Sequence, residues 1–301
     1  MLELDFAYFN LIDNEKKGLI PKKFWLELLT PIFFRPRLES LIDLRELESK
    51  GCNILFPIAI NHLDILSFNT FKNVIDKSLN IIGKYDIDYM AVDRNLKPYL
   101  LEAPEKLVFG DNFIKALANV LIQNLLEKHP MKKIIVIGEP LDFYEFLEVI
   151  ASYGLPMAIQ NYNPSQYELL VHRMLYENGS AISNSYICPD DWDKGHLVLY
   201  FNKLIDGLSI IMPELAYMEF TNKRVDIKES FKNKMLANHI SIGINSLAPI
   251  METCLLSKRG FSMHNGEKGK ATVPLKGKDF LHLQAIGDKL GLWGNFLDNG
   301  I

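Results

Sequence analysis

Two short polar clusters stand directly behind apolar runs. Asn61-His62-Leu63-Asp64 follows Ile54–Ile60, and Asp93-Arg94-Asn95 follows Asp86–Val92. Polar residues at the C-terminal ends of strands are where α/β sheets gather their chemistry. A histidine there titrates near neutrality, so His62 could give or take a proton with Asp64 or Asp93 as its orienting carboxylate. Arg94 offers a planar fork that suits a carboxylate or a phosphate. The plainer reading is that Asp64 caps a following helix and that Asp93 pairs with Arg94 on the surface. Together with Asn61, the turn residues Asp111 and Asn112 are expected to line a cleft between two lobes for a small-molecule ligand.

A third constellation follows the strand-like run Lys133–Ile137. It reads Gly138-Glu139-Pro140-Leu141-Asp142-Phe143-Tyr144, at the place where a doubly wound domain receives a diphosphate on glycines and a helix N-terminus. Only the first glycine is present. Glu139 and Asp142 bring carboxylates to an anion's position, Pro140 removes a donor, and Phe143 and Tyr144 add bulk. The turn therefore disfavours NAD(P), although Gly138, Glu139, Asn161 and Ser183 remain the candidate contacts if such a cofactor binds. Asn161-Tyr162-Asn163 supplies amides where an acidic ribose partner is usual, and amides of this kind also serve ordinary turns. In the alternative, Glu139 and Asp142 simply favour the dipole of the helix that begins there.

Other chemistries are excluded by counts and spacing. Cys52, Cys188 and Cys254 form no CxxC pair, and seven histidines are scattered singly, so no metal site is expected. Cys254 sits among Met251, Leu255 and Leu256, which points to a packed thiol rather than a nucleophile. With 33 Lys plus Arg against 37 Asp plus Glu, the net charge of -4 argues against a nucleic-acid partner. No apolar run reaches about 18 residues, and the opening MLELDFAYFN is acidic where a secretory signal is basic, so a cytoplasmic protein without a membrane span is expected. The oligomeric state has no signature.

Periodicity supplies the frame for these residues. Among 301 residues, 48% hydrophobic, apolar positions recur at helical spacing in Phe71–Lys84, Phe113–His129, Leu141–Tyr153, Ser165–Glu177, Leu247–Ser257 and Phe280–Leu290. Strand candidates are Ile54–Ile60, with Pro57 placing it at an edge or making it irregular, then Asp86–Val92, Lys133–Ile137, Pro156–Asn161, Ala181–Ser185, Leu197–Phe201, Leu208–Met212 and Ile240–Ile244. The expected fold is α/β: a doubly wound Rossmann-like sheet over 113–245, an N-terminal α/β lobe over 1–112, and C-terminal helices of 246–301 returning to that lobe.

The order of these segments resembles long-chain acyl-carrier-protein reductases and, more widely, shikimate-dehydrogenase-like two-lobed Rossmann proteins. The likeness covers roughly 50–295 and rests on Ile54–Asn61, the strand to Val92, the Gly110-Asp111-Asn112 turn, the strand ending at Gly138 and the closing helix Leu247–Leu256. It implies NADPH-dependent reduction of an acyl thioester through a cysteine. The sequence departs from that pattern in the glycine-poor turn and at Pro249, which stands where the nucleophilic cysteine would be. Cys254 lies five residues on, about 140° round a helix. Two functions follow as expectations: a Rossmann-type oxidoreductase relative with an atypical acidic turn, or a non-catalytic ligand- or partner-binding protein that has lost cofactor binding.

Overall fold

The computed structural model describes residues 3–12, 35–59, 63, 66–100, 104–138, 144–201, 216–220, 227–263 and 279–296. Two compact units result. One comprises Met1–Phe113, Lys232–Pro274 and Ile286–Leu292, the other Ile114–Phe231, Leu275–Ala285 and Trp293–Ile301. Each carries a five-stranded, mostly parallel sheet flanked by helices.

In the first unit the strand order is β2-β3-β1-β4-β5, with β1 Phe6–Ile12, β2 Arg37–Leu44, β3 Ser49–Ala59, β4 Met90–Val92 and β5 Leu107–Val108. Only β2 runs antiparallel to its neighbour. Residues of β1, β3 and β4 are buried, as expected of parallel strands covered on both faces. Phe6 stands opposite Gly51, and its ring occupies the place a β-carbon on Gly51 would take.

Pro57 does not put β3 at an edge, since β1 and β2 flank it on both sides. The strand tolerates the missing N–H for two reasons. Pairing with β2 has ended at Leu55, and the β1 register slips between Leu11 and Ile12, where the partner jumps from Phe56 to Ala59. Helix α1 (Phe68–Gly83) starts on Ser67, whose hydroxyl accepts from the Thr70 N–H, and buries Phe71, Val74, Ile75 and Ile82. Phe71 meets Phe9, Phe56 and Tyr99 at ring-centroid distances of 6.4–6.5 Å, the aromatic centre of this core.

The second unit has five parallel strands, β6 Lys133–Ile137, β7 Met157–Asn161, β8 Ile182–Tyr186, β9 His196–Tyr200 and β10 Ala216–Glu219, ordered β10-β9-β6-β7-β8. Counted within the unit this is 5-4-1-2-3, the doubly wound Rossmann order, with its reversal between β6 and β9. Helices α2 (Asp111–Lys128), α3 (Tyr144–Ala151) and α4 (Glu168–Asn178) accompany it. Ile135, Ile137, Ala158, Val198, Trp192 and Tyr200 form one core cluster, and the Trp192 indole N–H donates to Gln160 at 2.9 Å.

The strand expected at Ile240–Ile244 is not formed. Helix α5 (Glu229–Ala237) ends just before it, His239 takes φ +58°, and the Ile240 N–H turns back to the Met235 carbonyl, so Ile240 is buried as the stop of a helix. Helix α6 then runs Ile244–Met263 and α7 Asp279–Lys289. The Leu208–Met212 candidate lies outside the described residues. Among the described residues no helix is long and apolar enough to cross a membrane.

Candidate functional site

β4 ends at Val92, and the chain turns at once into a 3-10 helix, Arg94–Tyr99. Asp93 caps that turn, accepting from the Asn95 N–H at 2.9 Å, and its second oxygen accepts from Ser246 Oγ at 2.5 Å. It does not pair with Arg94. Arg94 Nη1 reaches away to the Phe109 carbonyl at 3.0 Å and to Asp111 Oδ1 at 2.7 Å. Lys97 holds the other oxygen of Asp111 at 2.9 Å. A 3-10 helix repeats every three residues, so Arg94 and Lys97 fall on one side of it and share one carboxylate.

Burial alone would raise the pKa of Asp111. The charges of Arg94 and Lys97, with their hydrogen bonds, outweigh it and bring the carboxyl below its ordinary value. Asp111 is thus an anion over the working pH range.

Gly110 makes this arrangement possible. It takes φ +81°, and a β-carbon there would lie 2.5 Å from the Ala248 carbonyl carbon and the Pro249 nitrogen. The glycine lets the end of β5 run against the backbone of α6 and delivers Asp111 and Asn112 to the first turn of α2.

The next contact comes from α6. Glu252, 3% exposed, accepts from the Phe113 N–H at 2.9 Å and from Asn112 Nδ2 at 3.3 Å. It serves the open N–H groups of α2 from another element. Burial pushes its pKa up to about 7, and the negative charge of Asp111 adds to the rise, while the hydrogen bonds from Phe113 and Asn112 oppose it. Asn245, at the start of α6, donates to Asn95 at 3.1 Å. Asp93, Arg94, Asp111 and Asn112 are therefore brought together with Asn95, Lys97, Ser246 and Glu252. Asn61, His62 and Asp64 lie outside the described residues.

At the second sheet, Gly138 follows β6 with φ +138°, a conformation open to glycine, at the edge where the strand order reverses. Glu139 and Asp142 lie outside the described residues. Asn161 ends β7 buried, its oxygen accepting from the Asn163 N–H at 2.8 Å and its amide facing Asn184 at 3.4 Å. It is committed to its own turn. Ser183 donates across to the Met157 carbonyl at 3.3 Å. Gly138 fits close approach by a diphosphate; the end of β7 presents no carboxylate for a ribose.

None of the three cysteines offers a thiolate. Burial pushes Cys52 up to about 11 and raises Cys254 further, and a hydrogen bond with Asp191 raises Cys188. Among the described residues no cluster of His, Cys, Asp and Glu could hold a metal ion.

Several solved structures are similar to the chain at low identity. Shikimate 5-dehydrogenase from Thermus thermophilus, solved with NADP(H) and shikimate, is 13% identical at a TM-score of 0.36, covering 95% of this chain and 99% of its own. A chorismate mutase/shikimate 5-dehydrogenase fusion from Clostridium acetobutylicum is 12% identical at 0.36, covering 96% and 100%. L-tryptophan dehydrogenase from Nostoc punctiforme is 9% identical at 0.35, covering 96% and 83%. At that similarity they assign no activity to this chain. No family model and no curated protein matches it.

Proposed function

We propose that this chain is a Rossmann-type oxidoreductase relative that takes a dinucleotide at the β6/β9 reversal and a small polar or anionic substrate at the ends of β4 and β5. The observation that carries the reading is the all-parallel order β10-β9-β6-β7-β8, with Gly138 closing β6 beside the reversal. NAD(P), when bound, supplies the hydride. The chain's own residues bind, orient and move protons. Lys97 and Arg94 hold an anionic group of the substrate in competition with Asp111, and His62, with Asp64 or Asp93, carries the proton. The proposal includes no cysteine thioester, because Cys254 is packed inside α6 against apolar neighbours.

Thermal shift with NADPH and NADH tests the reading. At about 1 mM ligand and a Kd of roughly 10 μM, linkage gives about 2.7 kcal/mol, a rise of roughly 5 °C in Tm. No shift with either dinucleotide sinks the oxidoreductase reading. A Glu139→Gly/Asp142→Gly double variant is expected to bind roughly tenfold tighter, about 1.4 kcal/mol, if the acidic turn opposes the diphosphate. Unchanged affinity in titrations followed by tryptophan fluorescence would remove the acidic turn from the account.

The second reading, a binding protein without catalysis, is favoured by one feature: Arg94 and Lys97 both pair with Asp111, so a carboxylate of the chain itself already sits between the two cations. It predicts binding without turnover.

A further inference from the structure

Two carboxylates are fastened to one turn of α2 by different kinds of partner. Asp111 accepts from Arg94 on one oxygen at 2.7 Å and from Lys97 on the other at 2.9 Å. Glu252, buried on α6, accepts from Asn112 Nδ2 and from the Phe113 N–H, the two residues that follow Asp111. Those donors are neutral, and among the described residues no cation pairs with Glu252.

Among the described residues the charges around Glu252 are few. Helix α6 packs on β1, β4, β5 and the 3-10 turn Arg94–Tyr99. β4 and β5 carry no titratable residue, and β1 carries Tyr8. The 3-10 turn brings Arg94, Lys97 and Tyr99 behind Asp93, which accepts from Ser246 near the start of α6. α2 brings Asp111, with Lys115 one turn on. α6 itself adds Cys254, kept as a thiol by burial, and Lys258, which reaches the Glu48 carbonyl. Asp93 and Asp111 balance Arg94 and Lys97, so the proton on Glu252 decides whether this cluster is neutral or carries a surplus negative charge.

We propose that Glu252 makes anion binding at Arg94 and Lys97 proton-linked: the cluster admits an outside anion when Glu252 is neutral and repels it when Glu252 is ionised. The inference rests on the reading of this cluster as the place for an anionic group of the substrate. Burial holds the Glu252 carboxyl up to about 7, with the charge of Asp111 adding to the rise, so the change falls in the neutral range. The proton removes the surplus charge, so affinity is highest in mild acid and falls as the pH rises through 7. Linkage is reciprocal, and a bound anion strengthens the hold of Glu252 on its proton by the same factor. A coupling of about fivefold raises the carboxyl by about 0.7 and draws in about 0.3 proton per anion near pH 7.

Inorganic sulfate is the probe, because it stays a dianion across the range. Titration calorimetry of the full chain at constant ionic strength, in buffers of different ionisation heat, reads both affinity and proton uptake. Wild type is expected to bind sulfate about threefold more weakly at about pH 8 than at about pH 6, with proton uptake near neutrality. Glu252→Gln keeps an acceptor for the Phe113 N–H and cannot ionise. It is expected to bind equally at both pH values, as tightly as wild type does in mild acid, without proton uptake. A merely structural role would change affinity alike at both pH values. Lys97→Met is expected to abolish binding, which locates the sulfate. Absent binding, or binding that survives Lys97→Met, overturns the anion-site reading and the coupling with it. Binding that needs Lys97 but is the same at both pH values in wild type overturns the coupling alone.

Discussion

Gly110→Ala is expected to lower the melting temperature by roughly 6 °C. Two costs combine. At φ +81° an L-residue gives up about 1–2 kcal/mol. The new β-carbon would also meet the α6 backbone, with the Ala248 carbonyl carbon and the Pro249 nitrogen both at 2.5 Å. Backbone cannot swing aside as a side chain can, so overpacking of about 1–3 kcal/mol is the second cost. The sum, about 2–5 kcal/mol, corresponds to roughly 3–8 °C in a protein of this size.

Gly154→Ala is the control. Its φ is +72°, and nothing lies within 4 Å of an added β-carbon, so only the conformational cost applies and a shift of a few degrees is expected. Circular dichroism melts of the two variants separate backbone strain from lack of space. Equal shifts would mean that the close approach of β5 to α6 contributes nothing. Because Gly110 precedes Asp111, the same substitution is also expected to loosen the Arg94–Asp111 pair.

The parts of this fold that sequence reveals are those whose signal is local. β6 and β7 are short continuous apolar runs, the pattern of a strand covered on both faces, and their expected and observed bounds agree within a residue. β1 and β2 escape a reading of the sequence for different reasons. β1 is apolar, but its partner β3 begins more than thirty residues later, and nothing near Phe6–Ile12 marks it as a strand. β2 is an edge strand whose Arg37, Glu39 and Asp43 dilute the alternation, leaving Ile42 and Leu44 as its buried positions.

The site divides in the same way. Asp93, Arg94, Asp111 and Asn112 are legible as polar residues at strand ends, but their partners are not. Sequence neighbours suggest an Asp93–Arg94 pair, yet each side chain on the 3-10 turn has a better use: Asp93 caps the turn, and Arg94 reaches Asp111, 17 residues on. Lys97 carries a usable signal in its three-residue spacing from Arg94. Glu252 has none beyond being an acid in the apolar run Leu247–Leu256, for its partner Phe113 stands 139 residues away.

Glu252→Gln is expected to make the protein more stable above neutral pH and to remove a pH dependence that the wild type shows between about pH 4.5 and 7. The carboxyl has its ordinary value of 4.5 in the unfolded chain and about 7 when folded, chiefly through burial. The folded state therefore holds a proton that the unfolded state has released across this window. The stabilisation is complete below 4.5 and is lost as pH rises through 7, with a slope of up to about 1.4 kcal/mol per pH unit and a total on the order of 3 kcal/mol. Other groups act elsewhere or with the opposite sign. Asp111, its pKa lowered, contributes above its unfolded value and loses that contribution only in acid. His196, lowered by burial from its ordinary 6.5, works against the Glu252 slope just below that value. Both are common to wild type and variant, so the difference between the two stability curves isolates position 252. Glutamine keeps an oxygen for the Phe113 N–H, and the Asn112 amide can turn its oxygen toward the new NH2, so α2 keeps its acceptor. Urea melts from about pH 5 to 8 are expected to show wild-type stability falling relative to the variant, with the gap opening through pH 7. Glu252→Ala, which leaves the buried Phe113 N–H without its acceptor, is expected to cost about 1–3 kcal/mol across the range. Parallel wild-type and Glu252→Gln curves would show that the carboxylate is ionised in the folded protein at no cost, and that Asn112 and Phe113 alone suffice to hold its charge.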